Sequence, residues 1–110
     1  ARVKTKTDLC MSAVTYAELC YGIENGAPER AKECRAQLAL FTRLVEILPF
    51  RDAAGKHYGR IRAHLKSEGR MIGGNDLLIA AHALSEGAVL VSNNLREFQR
   101  VPGLKVENWV

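Results

Sequence analysis

One stretch constrains this chain more than any other: Leu77-Leu78-Ile79-Ala80-Ala81-His82-Ala83-Leu84, followed beyond Gly87 by Ala88-Val89-Leu90-Val91-Ser92. A helix that is apolar nearly all round has no face to offer water, so it must lie against a sheet or between other helices. A short, continuously apolar run is what a strand covered on both faces of a parallel sheet looks like. The pair, joined through a glycine that suits a helix end, predicts an α/β fold with a mostly parallel central sheet flanked by helices.

The rest of the chain repeats that alternation. Leu9 to Val14 reads as a strand, and Tyr16 to Glu24 as a helix closed by Asn25-Gly26. Pro28-Glu29 is a favoured helix opening, and Ala31, Cys34, Leu38, Phe41 and Val45 then recur at helical spacing as one apolar stripe. Val45 to Phe50 reads as a strand, Asp52 as the cap of a third helix with Ala54, Tyr58, Ile61 and Leu65 on its buried face, and Leu104 to Val110 as a last strand. A length of 110 residues with 47% hydrophobic and 25% charged residues suits a single domain spanning 1–110 and excludes a disordered chain. The three cysteines, Cys10, Cys20 and Cys34, have neither disulfide-framework nor zinc-knuckle spacing, and no signal peptide opens the chain, which points to a reducing cytoplasm.

The net charge of +4 is concentrated. Between Arg51 and Asn75 stand Arg51, Lys56, Arg60, Arg62, Lys66 and Arg70 against only Asp52 and Glu68, while the remaining bases and acids balance. Such a helix can present bases to phosphates or can simply be a solvated outer face.

In a parallel α/β sheet, chemistry gathers beyond the carboxyl ends of the strands. Glu18 follows the first strand, Asp76 opens the apolar helix, and Asn93, Asn94 and Glu97 follow Ser92. Carboxylates gathered there suit a hard divalent cation, because Mg²⁺ and Mn²⁺ prefer oxygen ligands. Each residue also has a plain structural reading. Thr15-Tyr16-Ala17-Glu18 fits a capping box, Asp76 fits a first-turn acid favoured by the helix dipole, Asn93-Asn94 fits a turn, and His82 fits a satisfied core histidine. His57 and His64 lack a third ligand at metal spacing, and no nucleophile elbow, Walker loop or dinucleotide fingerprint is present.

Four stretches carry a resemblance: Ser12 to Gly22, containing S-x-x-T-x-x-E-L-x-x-G; Ala27-Pro28-Glu29-Arg30; Asp76 to Ala83, containing D-x-x-I-A-A-x-A; and Leu90 to Leu104, containing N-N-x-R-E-F. In this order, and over nearly the whole chain, they resemble the PIN-domain nucleases, and specifically the VapC toxins of bacterial toxin and antitoxin pairs. The resemblance implies a Mg²⁺- or Mn²⁺-dependent endoribonuclease, cutting RNA and most simply tRNA near the anticodon, in which clustered acids hold the metal that activates a water. By position, Glu18 matches the family's second acid and Asp76 its third; Asn94 stands where many relatives have Asp, with Glu97 as the nearby carboxylate that can replace it. Ser92 matches a supporting Ser or Thr, with Thr15 and Asn93 as further support, and Lys56, Arg60, Arg96 and Arg100 become candidates for RNA contact. The implied partners are an antitoxin that inserts an arginine-bearing segment into the acidic pocket, and a second copy of the toxin.

One departure stands out. The family opens with a strand ending in D-T-N, whose Asp is the first metal ligand, and nothing here matches it; Asp8 precedes its strand and so falls at the wrong end of the sheet. The expectation is therefore a PIN-like fold short of its first strand and helix, with an exposed sheet position or a strand supplied by another chain, and an incomplete metal site. The competing expectation is a catalytically inactive PIN module serving as a binding or scaffold partner.

Overall fold

The computed structural model describes the backbone of residues 2–4 and all of residues 9–108; Asp8 and the end of the expected last strand, residues 109–110, lie outside the described residues. In chain order the elements are β1 (Arg2–Lys4), β2 (Leu9–Ser12), α1 (Ala13–Glu24), α2 (Pro28–Leu44), β3 (Glu46–Leu48), α3 (Asp52–Ser67), α4 (Gly74–Ser85), β4 (Val89–Val91), α5 (Leu95–Phe98) and β5 (Val106–Glu107). The sheet order is β3-β2-β1-β4-β5. β2 pairs with β3 and β4 with β5 in parallel, and β1 runs antiparallel to both β2 and β4. Four strands therefore share one direction, as expected of this α/β class.

The middle of the sheet departs from expectation. No position stands open between β2 and β4, because Arg2–Lys4 fills it, with Val3 opposite both Cys10 and Leu90. Nothing in Arg2-Val3-Lys4 marks a strand in isolation. Its pairing is a tertiary outcome, in which the unpaired N–H and C=O groups of two neighbouring strands are satisfied by the backbone that lies nearest.

The core is organised by α4, whose Leu77, Ile79, Ala80, Ala81, His82 and Ala83 are all buried. They pack with Ile61 and Leu65 of α3, Cys10 of β2, Leu90 of β4 and Phe98 of α5. Small alanines on α4 let the neighbouring backbones come close, and Leu77, Ile79 and Phe98 fill the space beyond them, each 1% exposed. Gly87 takes φ +62 just beyond α4, the left-handed turn that returns the chain into β4.

Helix starts depart from expectation in two places. α1 begins at Ala13 and not at Tyr16, because Ser12 is the cap: its Oγ accepts the Val14 N–H at 3.1 Å. Thr15 is therefore inside the helix and buried, and the capping-box reading of Thr15 and Glu18 falls. At α3 the capping position is Arg51, with no side-chain bond, and Asp52 is the first helical residue, where its charge favours the helix dipole. Among the described residues, no helix is long and apolar enough to cross a membrane.

Candidate active site

β2 and β4 run the same way, so their carboxyl ends reach one edge of the sheet, and α1 and the α5 turn start from that edge. α4 presents its amino end there too. Its first turn carries Asn75 and Asp76, since Gly73 is the cap and Gly74 the first helical residue. Asp76 thus sits where a helix dipole favours a carboxylate.

The side chains meet through two hydrogen-bonded groups. Asn94 Nδ2 donates to Asp76 Oδ2 and to Glu97 Oε2, each at 3.2 Å. Asn94 is itself held by its backbone N–H, which donates to Ser92 Oγ at 3.0 Å. On the other side, Asn75 Nδ2 donates to Glu18 Oε2 at 3.1 Å across a separation of 57 residues. Glu18 thus reaches α4 instead of folding back on its own helix.

Electrostatics binds the first group tightly. Burial, the hydrogen bond with Glu97 and the negative charges of Glu97 and Glu18 push Asp76 up to about 6. Glu97 moves the opposite way: its hydrogen bond with Asp76, the Asn94 amide, the Gly73 backbone N–H and the Arg100 charge hold it below the ordinary glutamate range. The two opposite shifts describe one coupled pair, in which Asp76 takes up a proton before Glu97 as the pH falls. A Cβ at Gly73 would stand 3.8 Å from Asp76 Oδ2 and 4.0 Å from Glu97 Oε2, so the glycine borders both carboxylates.

The donor set is oxygen-only and anionic, and the crowding of negative charge raises the affinity of Asp76 for a cation. That chemistry fits a hard divalent ion, which Asp76 and Glu97 could bind, since Mg²⁺ is commonly held by one or two carboxylates and several waters. Among the described residues, however, no three His, Cys, Asp or Glu side chains form a ready metal-holding group. Glu18 stands apart from the Asp76–Glu97 pair, on its Asn75 bond.

The other predicted residues are dispersed. Thr15 is buried with Oγ1 unpartnered and Asn93 is exposed. Arg100 Nη1 donates to the Met71 carbonyl at 2.9 Å, tying α5 to the loop before α4, while the neighbouring Arg96 is exposed. Lys56 and Arg60 are exposed on α3, and Arg60 lines a cleft with Leu84 at the far end of α4. Eight residues of helix, about 12 Å, separate Leu84 from Asp76, so Arg60 does not belong to the carboxylate cluster. Asn75 and Gly73 went unrecognised; their only signal was adjacency to Asp76 in Gly73-Gly74-Asn75-Asp76.

The fold and this carboxylate edge define a PIN domain. Residues 1–104 match the PIN domain family, and the chain belongs to it. Within the family it is of the VapC type. It is 48% identical over 103 residues to Ribonuclease VapC2 of Haemophilus influenzae, covering 93% of this chain and 76% of that protein. It is 44% identical over 102 residues to the tRNA(fMet)-specific endonuclease VapC of Salmonella typhimurium, covering 92% and 75%. The crystal structure of VapBC2 from Rickettsia felis bound to a DNA fragment from their promoter superposes with a TM-score of 0.89 at 39% identity, covering 94% of this chain and 76% of that one. The chain thus spans about three quarters of the length of these relatives.

Proposed function

We propose that this chain is the toxin of a toxin and antitoxin pair, a divalent-metal-dependent endoribonuclease of the cytoplasm whose substrate is tRNA, cut near the anticodon. The observation that carries the reading is the convergence of Asp76, Asn94 and Glu97 with the Glu18–Asn75 pair at one edge of a VapC-type fold. Asp76 and Glu97 would hold Mg²⁺ or Mn²⁺, with Glu18 facing them from α1. A bound divalent ion would activate a water and stabilise the leaving oxygen of a phosphodiester.

The chain's own residues do the rest. Asn94 orients both carboxylates through one amide, and Ser92 holds Asn94 in place. Asn75 keeps Glu18 turned toward the site, and Asn93 stands beside Asn94 in the turn after β4. Arg96 lies beside Glu97 on α5 and can meet a phosphate; Lys56, Arg60 and the second guanidinium nitrogen of Arg100 extend the positive surface for the rest of the RNA. The same acidic cluster would attract an arginine-bearing segment of an antitoxin, and a second copy of the chain would complete the assembly.

Digestion of total tRNA tests the reading. Cleavage supported by Mg²⁺ or Mn²⁺, abolished by EDTA and lost in Glu97→Gln, supports it. Cleavage that survives EDTA would refute the metal dependence. A folded chain that binds its antitoxin but cuts no RNA would favour the scaffold reading, for which Asn94 in place of an acid is the specific observation.

A further inference from the structure

Three buried polar side chains remain that the carboxylate cluster does not use: Ser12 and Thr15 at the start of α1, and His82 on α4. Ser12 is 0% exposed, His82 1% and Thr15 5%. Ser12 Oγ accepts the Val14 N–H at 3.1 Å and is hydrogen-bonded to His82 Nδ1 at 2.7 Å. One hydroxyl therefore joins the end of β2, the start of α1 and the middle of α4.

Set beside the Glu18–Asn75 bond, this contact has a register. Six residues along α1 from Ser12 lead to Glu18, and seven residues back along α4 from His82 lead to Asn75. These are nearly equal lengths of helix, so the two helices run antiparallel with a polar rung at each end. The upper rung holds one carboxylate of the site, and the residue after Asn75 is Asp76.

The lower rung is an expensive choice for a core. Among the described residues, the buried side-chain polar atoms without a partner are His82 Nε2 and Thr15 Oγ1, one on each helix of the ladder. Either ring tautomer leaves Nε2 unpartnered, and an apolar side chain of similar size would avoid that cost. Burial also disfavours the charged imidazole, and Phe50 packs against the ring edge to face at 5.6 Å, which fixes its orientation.

We propose that the Ser12–His82 hydrogen bond is the lower rung of a ladder that sets α1 against α4, making His82 a positioning residue that holds Glu18 in register with Asp76. Its catalytic consequence rests on the ribonuclease reading above; its structural consequence does not.

The test uses Ser12→Ala, His82→Leu and His82→Asn, which keeps a polar atom near the position of Nδ1, with Leu65→Ala as a core variant away from the ladder. Two readouts are needed: the Asn75 side-chain amide signals in a ¹⁵N correlation spectrum, and kcat and KM for tRNA cleavage. Ser12→Ala and His82→Leu should move the Asn75 signals toward the unbonded position and lower kcat about 10-fold or more, leaving KM within about 2-fold, since small misplacements act on the chemical step. His82→Asn should recover most of both. Leu65→Ala should lose at least as much thermal stability yet keep kcat at 25 °C and the Asn75 signals. Unmoved Asn75 signals in Ser12→Ala and His82→Leu, a matching loss of kcat in Leu65→Ala, or no recovery in His82→Asn would each overturn the proposal. A wild-type chain that cuts no RNA would sink the ribonuclease reading alone, and the Asn75 signals would still decide the ladder.

Discussion

α4 and α2 are both helices with apolar side chains at helical spacing, yet they end in opposite conditions. Half of the 12 residues of α4 are buried, whereas none of the 17 residues of α2 is. α2 lies beside α1 and leaves Leu40 61% and Leu44 83% exposed, and α1 adds Tyr21 at 67%. Periodicity alone says that a helix has a preferred face; what that face meets decides whether burial stabilises it. The carboxylate cluster straddles this difference: Asp76 stands on the packed helix, Glu18 on the lightly packed hairpin.

The largest expected effect tests that asymmetry directly. Asp76→Asn should lower tRNA cleavage by about 10²–10³-fold, the scale of losing a charged group that acts on the transition state. Glu18→Gln, on the looser side, should cost less, about 10-fold on the same scale. Equal losses in steady-state cleavage would show that the hairpin is held as firmly as α4. Next comes stability. Leu77→Ala should lower the urea unfolding free energy by about 3 kcal/mol, through lost transfer and a cavity in the core. Leu44→Ala should change it by no more than about 0.5 kcal/mol. A substantial loss in Leu44→Ala would reveal a contact that α2 makes in solution.

A smaller effect depends on pH. Asp76 is raised to about 6 from 3.8, so the folded state binds its proton more readily than the unfolded chain does. This contribution favours the fold at low pH and fades as pH rises through roughly 4 to 6, leaving a charge penalty above that window. Asp76→Asn should therefore raise the Tm at pH 7.5 and lose that advantage near pH 4.5. Glu97, shifted downward, contributes with the opposite sign at lower pH, so the comparison belongs above the ordinary glutamate range. A gain in Tm that is the same at both pH values would remove the charge explanation. The smallest effect is Glu24→Gln, which breaks the Arg35–Glu24 pair at 3.1 Å. Both partners are exposed, so the loss should stay below about 1 kcal/mol and vanish in high salt.

What could be read from the amino acids follows the same division. The α4 to β4 unit was legible because its signal is local: an apolar helix, a glycine, an apolar strand. Asp76 and Glu97 could be named as candidates, but their opposite shifts could not, because these depend on the distance between a helix start and a turn some twenty residues later. Glu18 shows the limit most clearly. T-x-x-E spacing fits a capping box, and only the cap at Ser12, three residues earlier, frees Glu18 to meet Asn75. β1 escaped altogether, since Arg2-Val3-Lys4 has no strand pattern and forms only against β2 and β4. His82 was correctly read as a core residue, but only half satisfied.

Gly73 has an ordinary backbone, with φ −57 and ψ 148, so conformation does not demand glycine there. What its missing side chain provides is clearance over the shared face of Asp76 and Glu97. A single methyl would fit without collision, in van der Waals contact with both carboxylates, and would change neither charge nor fold. Access to the acids is thus set by the side chain that Gly73 lacks, while its backbone N–H acts on Glu97 whatever that side chain is, so the doorway can be narrowed while the chemistry behind it is left intact.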